Sequence, residues 1–224
     1  MTDRIKQTRA AYDEVAAEYS SRIYGELTGK PLDRALLDVF AESVAPGSRV
    51  CDAGCGPGHV ARYLRDRGVN VFGVDLSPGM VAEASRLNPD IEFRAGDFCE
   101  LDTTASLAGI VAFYSLIHLD RDRVNSALAK LSEALKPNGM LFIAFHIGEG
   151  ELHRDEWWGH TVSVDFAFFG VDEMRGYLLE AGFTLEWVVE REPYADVEHP
   201  SRRAYILARR SQPQIHTDKT DKTG

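Results

Sequence analysis

Apolar and polar residues alternate along this chain with two periods, and the period switches repeatedly. Helical spacing runs through residues 4–20 and again through Leu32–Ala45 after Pro31, which predicts two helices ahead of the first strand. Short apolar runs predict strands at Arg49–Ala53, Asn70–Asp75, Ile91–Arg94, Ile110–Tyr114 and Met140–His146. Helical segments at His59–Arg67, Gly79–Leu87 and Arg121–Leu135 separate them, and the KPNG turn, Lys136–Gly139, is expected to stop the last of these and start the fifth strand. Such alternation implies an α/β fold with a parallel, doubly wound sheet and helices on both faces. After His146 the rhythm breaks: residues of about 147–170 read as a long, aromatic-rich insertion, although VSVDFAFF suits an extra strand equally well. A helix at Asp172–Ala181 follows, and FTLEWVVERE and RRAYILARR then read as a closing antiparallel hairpin, which brings the sheet to seven strands. Residues 1–45 and 46–210 are assigned to one domain, and 211–224 to a polar, disordered tail.

The first strand runs into VCDAGCGPGHVARYL, Val50–Leu64, which joins an apolar strand to a glycine turn and opens a helix. Gly54, Gly56 and Gly58 fall at alternate positions, so the turn can take positive φ and a ligand can approach the backbone closely. Pro57 favours the helix start, whose free N–H groups attract acceptor groups of a ligand. Asp75, at the tip of the second strand, suits the ribose hydroxyls of an adenosyl cofactor. Past the third strand, Asp97 can accept from an adenine amino group and Phe98 can cover the ring. A nicotinamide dinucleotide would place pyrophosphate on the glycine turn, yet Asp52 stands two residues before Gly54. A carboxylate there repels phosphate and attracts a cationic amino-acid head, directly or through water.

The set Asp52, Gly54, Gly56, Gly58, Asp75, Asp97 and Phe98 resembles the class I S-adenosylmethionine-dependent methyltransferases of the small-molecule type, over roughly residues 10–210. The resemblance implies that Gly54–Gly58, with Cys55 between, holds the methionine end, Asp75 the ribose and Asp97 the adenine. It adds Leu76 and Met80 near adenine or ribose, with Met80 equally suited to packing on the sheet, and Tyr114 and Ser115 at the fourth strand tip. YDEVAAEY resembles the N-terminal lid of that family; Tyr12 and Tyr19 are two helical turns apart and share a face that either closes the site or packs. Gly109 stands where many members carry Asp.

Composition narrows the partners. A formal net charge of −10 disfavours nucleic acid and anionic membranes, whose binding draws on Lys and Arg, and leaves a small neutral or cationic acceptor. The start of the chain lacks a signal-peptide pattern and no apolar run is long enough to span a bilayer, so a cytoplasmic location is expected. Cys51, Cys55 and Cys99 have no metal-ligand spacing and read as free thiols; no metal is expected. No Asn-Pro-Pro-Tyr type tetrapeptide follows the fourth strand, which lowers the class of acceptors with planar nitrogen. Nothing in the sequence indicates an oligomeric state.

Methyl transfer from a sulfonium needs alignment, exclusion of water and often a base. His118 and His146, near the fourth and fifth strand ends, are candidate bases or merely orienting residues, and His160 and Asp165 are weaker candidates. Trp157, Trp158, Phe166, Phe168 and Phe169 form either a substrate wall or core. Arg191 heads a charged cluster with Glu198 and Arg202 that borders the pocket or lies in a solvated turn. Two rivals remain: a non-catalytic module that keeps the cofactor site, and an NAD-dependent oxidoreductase.

Overall fold

The computed structural model describes residues 3–101, 105–195 and 198–212. Residues 213–224, which include most of the expected tail, lie outside the described residues.

Helix α1 (Asp3–Ile23) precedes a 3-10 turn (Glu26–Gly29) and helix α2 (Pro31–Ser43). The βα units follow as β1 (Arg49–Ala53), α3 (His59–Arg65), β2 (Asn70–Asp75), α4 (Pro78–Leu87), β3 (Glu92–Ala95), β4 (Leu107–Phe113), α5 (Arg121–Ala134) and β5 (Leu135–His146). The chain ends with β6 (Glu151–Trp157), β7 (His160–Ala167), α6 (Val171–Glu180), β8 (Phe183–Arg191) and β9 (Arg203–Arg210). Seven strands form one sheet in the order β3-β2-β1-β4-β5-β9-β8, parallel through β5 and antiparallel at β9 and β8. The order reverses between β1 and β4. In a doubly wound sheet the ligand crevice opens at that reversal, beyond the C-terminal strand ends.

Every residue of β4 is buried, because helices cover both faces of the sheet. Successive side chains alternate: Ile110 and Ala112 join the layer under α5 and α6, while Val111 and Phe113 join Phe40 of α2 and Leu64 of α3. Gly109 has a packing reason in this chain. A Cβ there would lie 2.8 Å from the Phe40 ring and 3.0 Å from Val44.

Two segments differ from the sequence reading. Strand β5 starts at Leu135, which already pairs with Leu107, and Lys136–Gly139 is a register shift within the strand, with Asn138 at φ 64°. The insertion is a two-stranded hairpin, β6-β7, outside the main sheet. Trp157 pairs with His160, so Trp158 (φ 53°) and Gly159 (φ 86°) are the two turn residues. Positive φ at both positions is the geometry of the tight turn that matches strand twist. A tryptophan there carries no turn signal in the sequence, which is why the segment reads as irregular. The hairpin packs on α1, with Val162 and Val164 against Ala11, Val15 and Ala16.

Candidate functional site

The cleft opens above the β1 and β4 ends and holds about 900 Å³ of empty space, part of it continuous with solvent. Its floor is the turn after β1. Gly54 (φ 74°) and Gly56 (φ 51°) line it, and a Cβ on Gly54 would lie 2.4 Å from the Ser115 Cβ, so the turn and the β4 exit are in direct contact. Cys55, between them, also lines the cleft. Gly58 does not; a Cβ there would meet the Phe93 ring at 2.7 Å and the Asn88 amide at 2.9 Å on the outer side of the turn.

Asp75 is held at both oxygens. Oδ2 accepts the Gly56 N–H at 2.8 Å and Oδ1 accepts the Ser77 N–H at 2.9 Å, while the residue still faces the cleft. Burial raises its carboxyl to about 6, against the two N–H donors that pull it down. Asp97, Phe98 and Leu76 line the next part of the wall; Asp97 Oδ1 accepts the Cys99 N–H at 2.9 Å, and Arg123 stands 3.6 Å from Oδ2. On the β4 side Tyr114 takes φ 58°, and the buried Ser115 Oγ has no hydrogen-bond partner among the described residues.

Helix α1 closes the top, with Tyr12 and Tyr19 in the lining. Asp13 Oδ1 accepts the Ser77 hydroxyl at 2.6 Å and the Gly79 N–H at 2.9 Å, which pins the helix over the start of α4. At its other end the Arg4 guanidinium donates to the His118 carbonyl at 3.1 Å and pairs with Glu151 and Asp120 at 2.9 Å. His118 is the one candidate base that reaches the cleft. Its Nδ1 lies 3.1 Å from the Asp165 carbonyl, which can only accept, so Nδ1 carries the proton and Nε2 accepts from the Tyr12 hydroxyl at 2.8 Å. Burial, together with the Arg4 charge, lowers the imidazole to about 4 despite the Asp165 carbonyl. Burial also pushes the Tyr12 hydroxyl well above its ordinary value, helped by Tyr19 and Asp75.

Several candidates stand elsewhere. Asp52 is buried beneath the turn and off the lining; its Oδ2 has no partner among the described residues, and burial raises it to about 7. Met80 is wholly buried between α1 and β7. His146 lies behind Tyr114, ring centroids 5.0 Å apart, with Nδ1 2.9 Å from the Ser201 hydroxyl; burial and the Arg203 charge lower it to about 3. Trp157 packs edge-on against Tyr12 and Tyr19, Trp158 against Tyr19, and His160 pairs with Glu14 at 2.9 Å, so all three clasp the closing helix from behind. Arg191 sits in a buried ionic network with Asp33 and Glu198, not on the cleft wall. Sequence reasoning missed Arg9, Glu26 and His59, which all line the cleft. His59 directly follows the glycine turn and was within reach of the motif. Glu26 lies between two helices and has no local signal.

Residues 50–139 match the family model described as a methyltransferase domain. The demethylmenaquinone methyltransferase of Beutenbergia cavernae is 36% identical over 141 residues, 59% of this chain and 55% of that protein; the chain thus spans little more than half the length of this relative. Among solved structures, the DhpI–S-adenosylhomocysteine complex superposes with a TM-score of 0.74 at 22% identity, covering 93% of this chain and 98% of the other. The [4+2]-cyclase SpnF superposes with a TM-score of 0.72 at 17% identity, covering 93% and 96%. The chain therefore has the class I methyltransferase fold, and its residues 50–139 are similar to a methyltransferase domain.

Proposed function

We propose that the cleft binds S-adenosyl-L-methionine and that the protein transfers its methyl group to an oxygen, nitrogen or carbon atom of a small-molecule acceptor in the cytoplasm. The observation that carries this reading is Asp75, a carboxylate oriented through both oxygens by backbone N–H groups at the second strand tip and still facing the cleft. That is the geometry for a vicinal diol. The residues around it fit the rest of the cofactor: Asp97 and Phe98 for adenine, and the glycine turn with the unpartnered Ser115 hydroxyl for the methionine end. The net charge of −10 and the unpaired thiols support a small acceptor and a reducing compartment.

The bound cofactor supplies an electrophilic methyl group with its leaving group already in place. The chain's own residues then exclude water, through the lid helix and the Tyr12–Tyr19–Trp157 cluster, and set the proton inventory near the acceptor. Moving the Tyr12 proton to His118 runs from a hydroxyl held well above its ordinary value to an imidazole lowered to about 4, which is strongly opposed. The pair therefore serves as a fixed hydrogen-bonded wall rather than as a strong base. His118 is expected to stay neutral, protonated at Nδ1, from pH 8 down to about 5. Nitrogen NMR of labelled histidine reads this directly, and an imidazolium signal at pH 6 would return the base role to it.

Calorimetric titration with S-adenosylmethionine, S-adenosylhomocysteine and NADH, side by side, tests the cofactor. Binding of the first two alone is expected, and binding of NADH alone overturns the reading in favour of an oxidoreductase. A second reading keeps the cofactor site without methyl transfer, and the [4+2]-cyclase of the same fold lends it weight. Release of S-adenosylhomocysteine from S-adenosylmethionine in the presence of a metabolite panel separates the two.

A further inference from the structure

The amino-acid end of such a cofactor carries an ammonium group, and the sequence assigns Asp52 to it. In the fold that carboxylate lies under the turn and off the cleft lining. Glu26 and His59 reach the wall instead, and Glu26 comes from the 3-10 turn after α1, outside the stretch matched by the family model. His59 Nε2 is 3.1 Å from Glu26 Oε1; the carboxylate only accepts, so Nε2 donates and Nδ1 keeps its lone pair in the neutral ring. The His59 side chain is only 10% exposed, and its buried Nδ1 has no hydrogen-bond partner among the described residues. A buried polar atom left in this way is costly unless a ligand meets it.

Glu26 is fixed as an anion. Its Oε2 accepts from Lys30 Nζ at 2.7 Å. Burial works to raise the carboxyl, but the His59 hydrogen bond and the Lys30 ammonium act against it and keep Glu26 below the ordinary carboxylate range. Lys30 is shared with Glu198 at 3.2 Å, so its charge is not spent on Glu26 alone. The wall beside the glycine turn thus offers a permanent carboxylate and an unused nitrogen acceptor.

We propose that Glu26 and His59 form the ammonium site for the amino-acid end of the cofactor, in place of Asp52. This rests on the cofactor reading above. The role is one of binding and positioning: holding that end fixes the sulfonium between the turn and the β4 exit.

The test compares S-adenosylhomocysteine with 5′-methylthioadenosine, which keeps the adenosine and the thioether but lacks the amino-acid end. Calorimetry at pH 7.5 on the full chain is expected to show wild-type protein binding the first at least tenfold more tightly. Glu26→Gln is expected to lose at least tenfold for S-adenosylhomocysteine and to leave 5′-methylthioadenosine within about twofold, a pattern that a merely structural ion pair would not give. If Glu26→Gln fails to fold, His59→Phe, which removes Nδ1, carries the same comparison. Equal affinity of the two ligands for wild type, or an unchanged ratio in the folded variant, overturns the ammonium site while leaving the cofactor in place. Loss of the ratio in Asp52→Asn and not in Glu26→Gln returns the role to Asp52. Failure of wild type to bind either ligand overturns the cofactor reading itself.

Discussion

Replacing Arg191 by methionine is expected to cost about 3–5 kcal/mol of folding stability, the range for removing one partner of a buried ion pair. The Arg191 side chain is 8% exposed, and its guanidinium lies 2.9 Å from Asp33 Oδ2 and 2.7 Å from Glu198 Oε2, whose side chains are almost wholly buried. It also donates to the Tyr205 hydroxyl at 3.0 Å. Without it Glu198 still has Lys30 at 3.2 Å and Arg203 at 3.3 Å, whereas Asp33 retains the Tyr205 hydroxyl at 2.8 Å and no cation within salt-bridge distance among the described residues. In a protein of this size the loss corresponds to a fall in melting temperature of roughly 10 °C.

The sign with pH follows from Asp33. Burial already raises its carboxyl, and the Tyr205 hydroxyl and Arg191 act against that rise. Removing Arg191 raises it further. A folded-state value above the unfolded one gives stability that is complete below the unfolded value and is lost as pH climbs through the folded value. The deficit of Arg191→Met should therefore be smaller at pH 5 than at pH 8. Asp33→Asn on the same background should recover part of it, because the uncompensated charge is gone. A loss under 1 kcal/mol, independent of pH, would show that the network is solvated and adds little. The network ends at the cleft: the Tyr205 hydroxyl lies 3.0 Å from that of Tyr114, whose left-handed backbone forms the β4 exit. Arg191 thus bears on the site through Tyr114, without touching a ligand.

What could be read in the sequence was the part written locally. Strands β1 and β2 carry their apolar runs and the glycine turn within a few residues, and their bounds match the expected ones, Arg49–Ala53 and Asn70–Asp75. Gly54, Gly56 and Asp75 meet in the cleft because consecutive strands of one βαβ unit end side by side. The rest depends on distant segments. Arg191 is 158 positions from Asp33, so its burial follows from the β8-β9 hairpin docking on α2 and not from any pattern around it. Asp52 looked like a ligand residue because of its spacing from Gly54, yet as a β1 residue it projects from a sheet face and is buried away from the cleft lining. His146 carries the right chemistry at the right strand end, but Tyr114 stands between it and the cleft.

Asp75→Ala is expected to weaken S-adenosylhomocysteine by about 1.5–3 kcal/mol, tenfold to over a hundredfold, the range for hydrogen bonds to a charged group. Part of the effect is indirect, since the Gly56 and Ser77 N–H groups lose their acceptor and the turn keeps only the Gly54 and Cys55 N–H bonds to the Val74 carbonyl of β2. A pH series isolates the direct part. With its carboxyl raised to about 6 in the free protein, Asp75 is ionised at pH 7.5 and mostly protonated at pH 5. Ribose hydroxyls donate to the ionised form, so binding releases a proton near pH 6 and affinity should fall roughly tenfold between pH 7.5 and 5. Asp75→Asn keeps the shape, lacks the titration and should give a flat profile over that interval. Asp52, raised to about 7, also titrates nearby, but it does not line the cleft. A slope that survives in Asp75→Asn and disappears in Asp52→Asn would therefore place the controlling carboxylate under the turn rather than at the strand tip, and the diol contact would have to be withdrawn from Asp75.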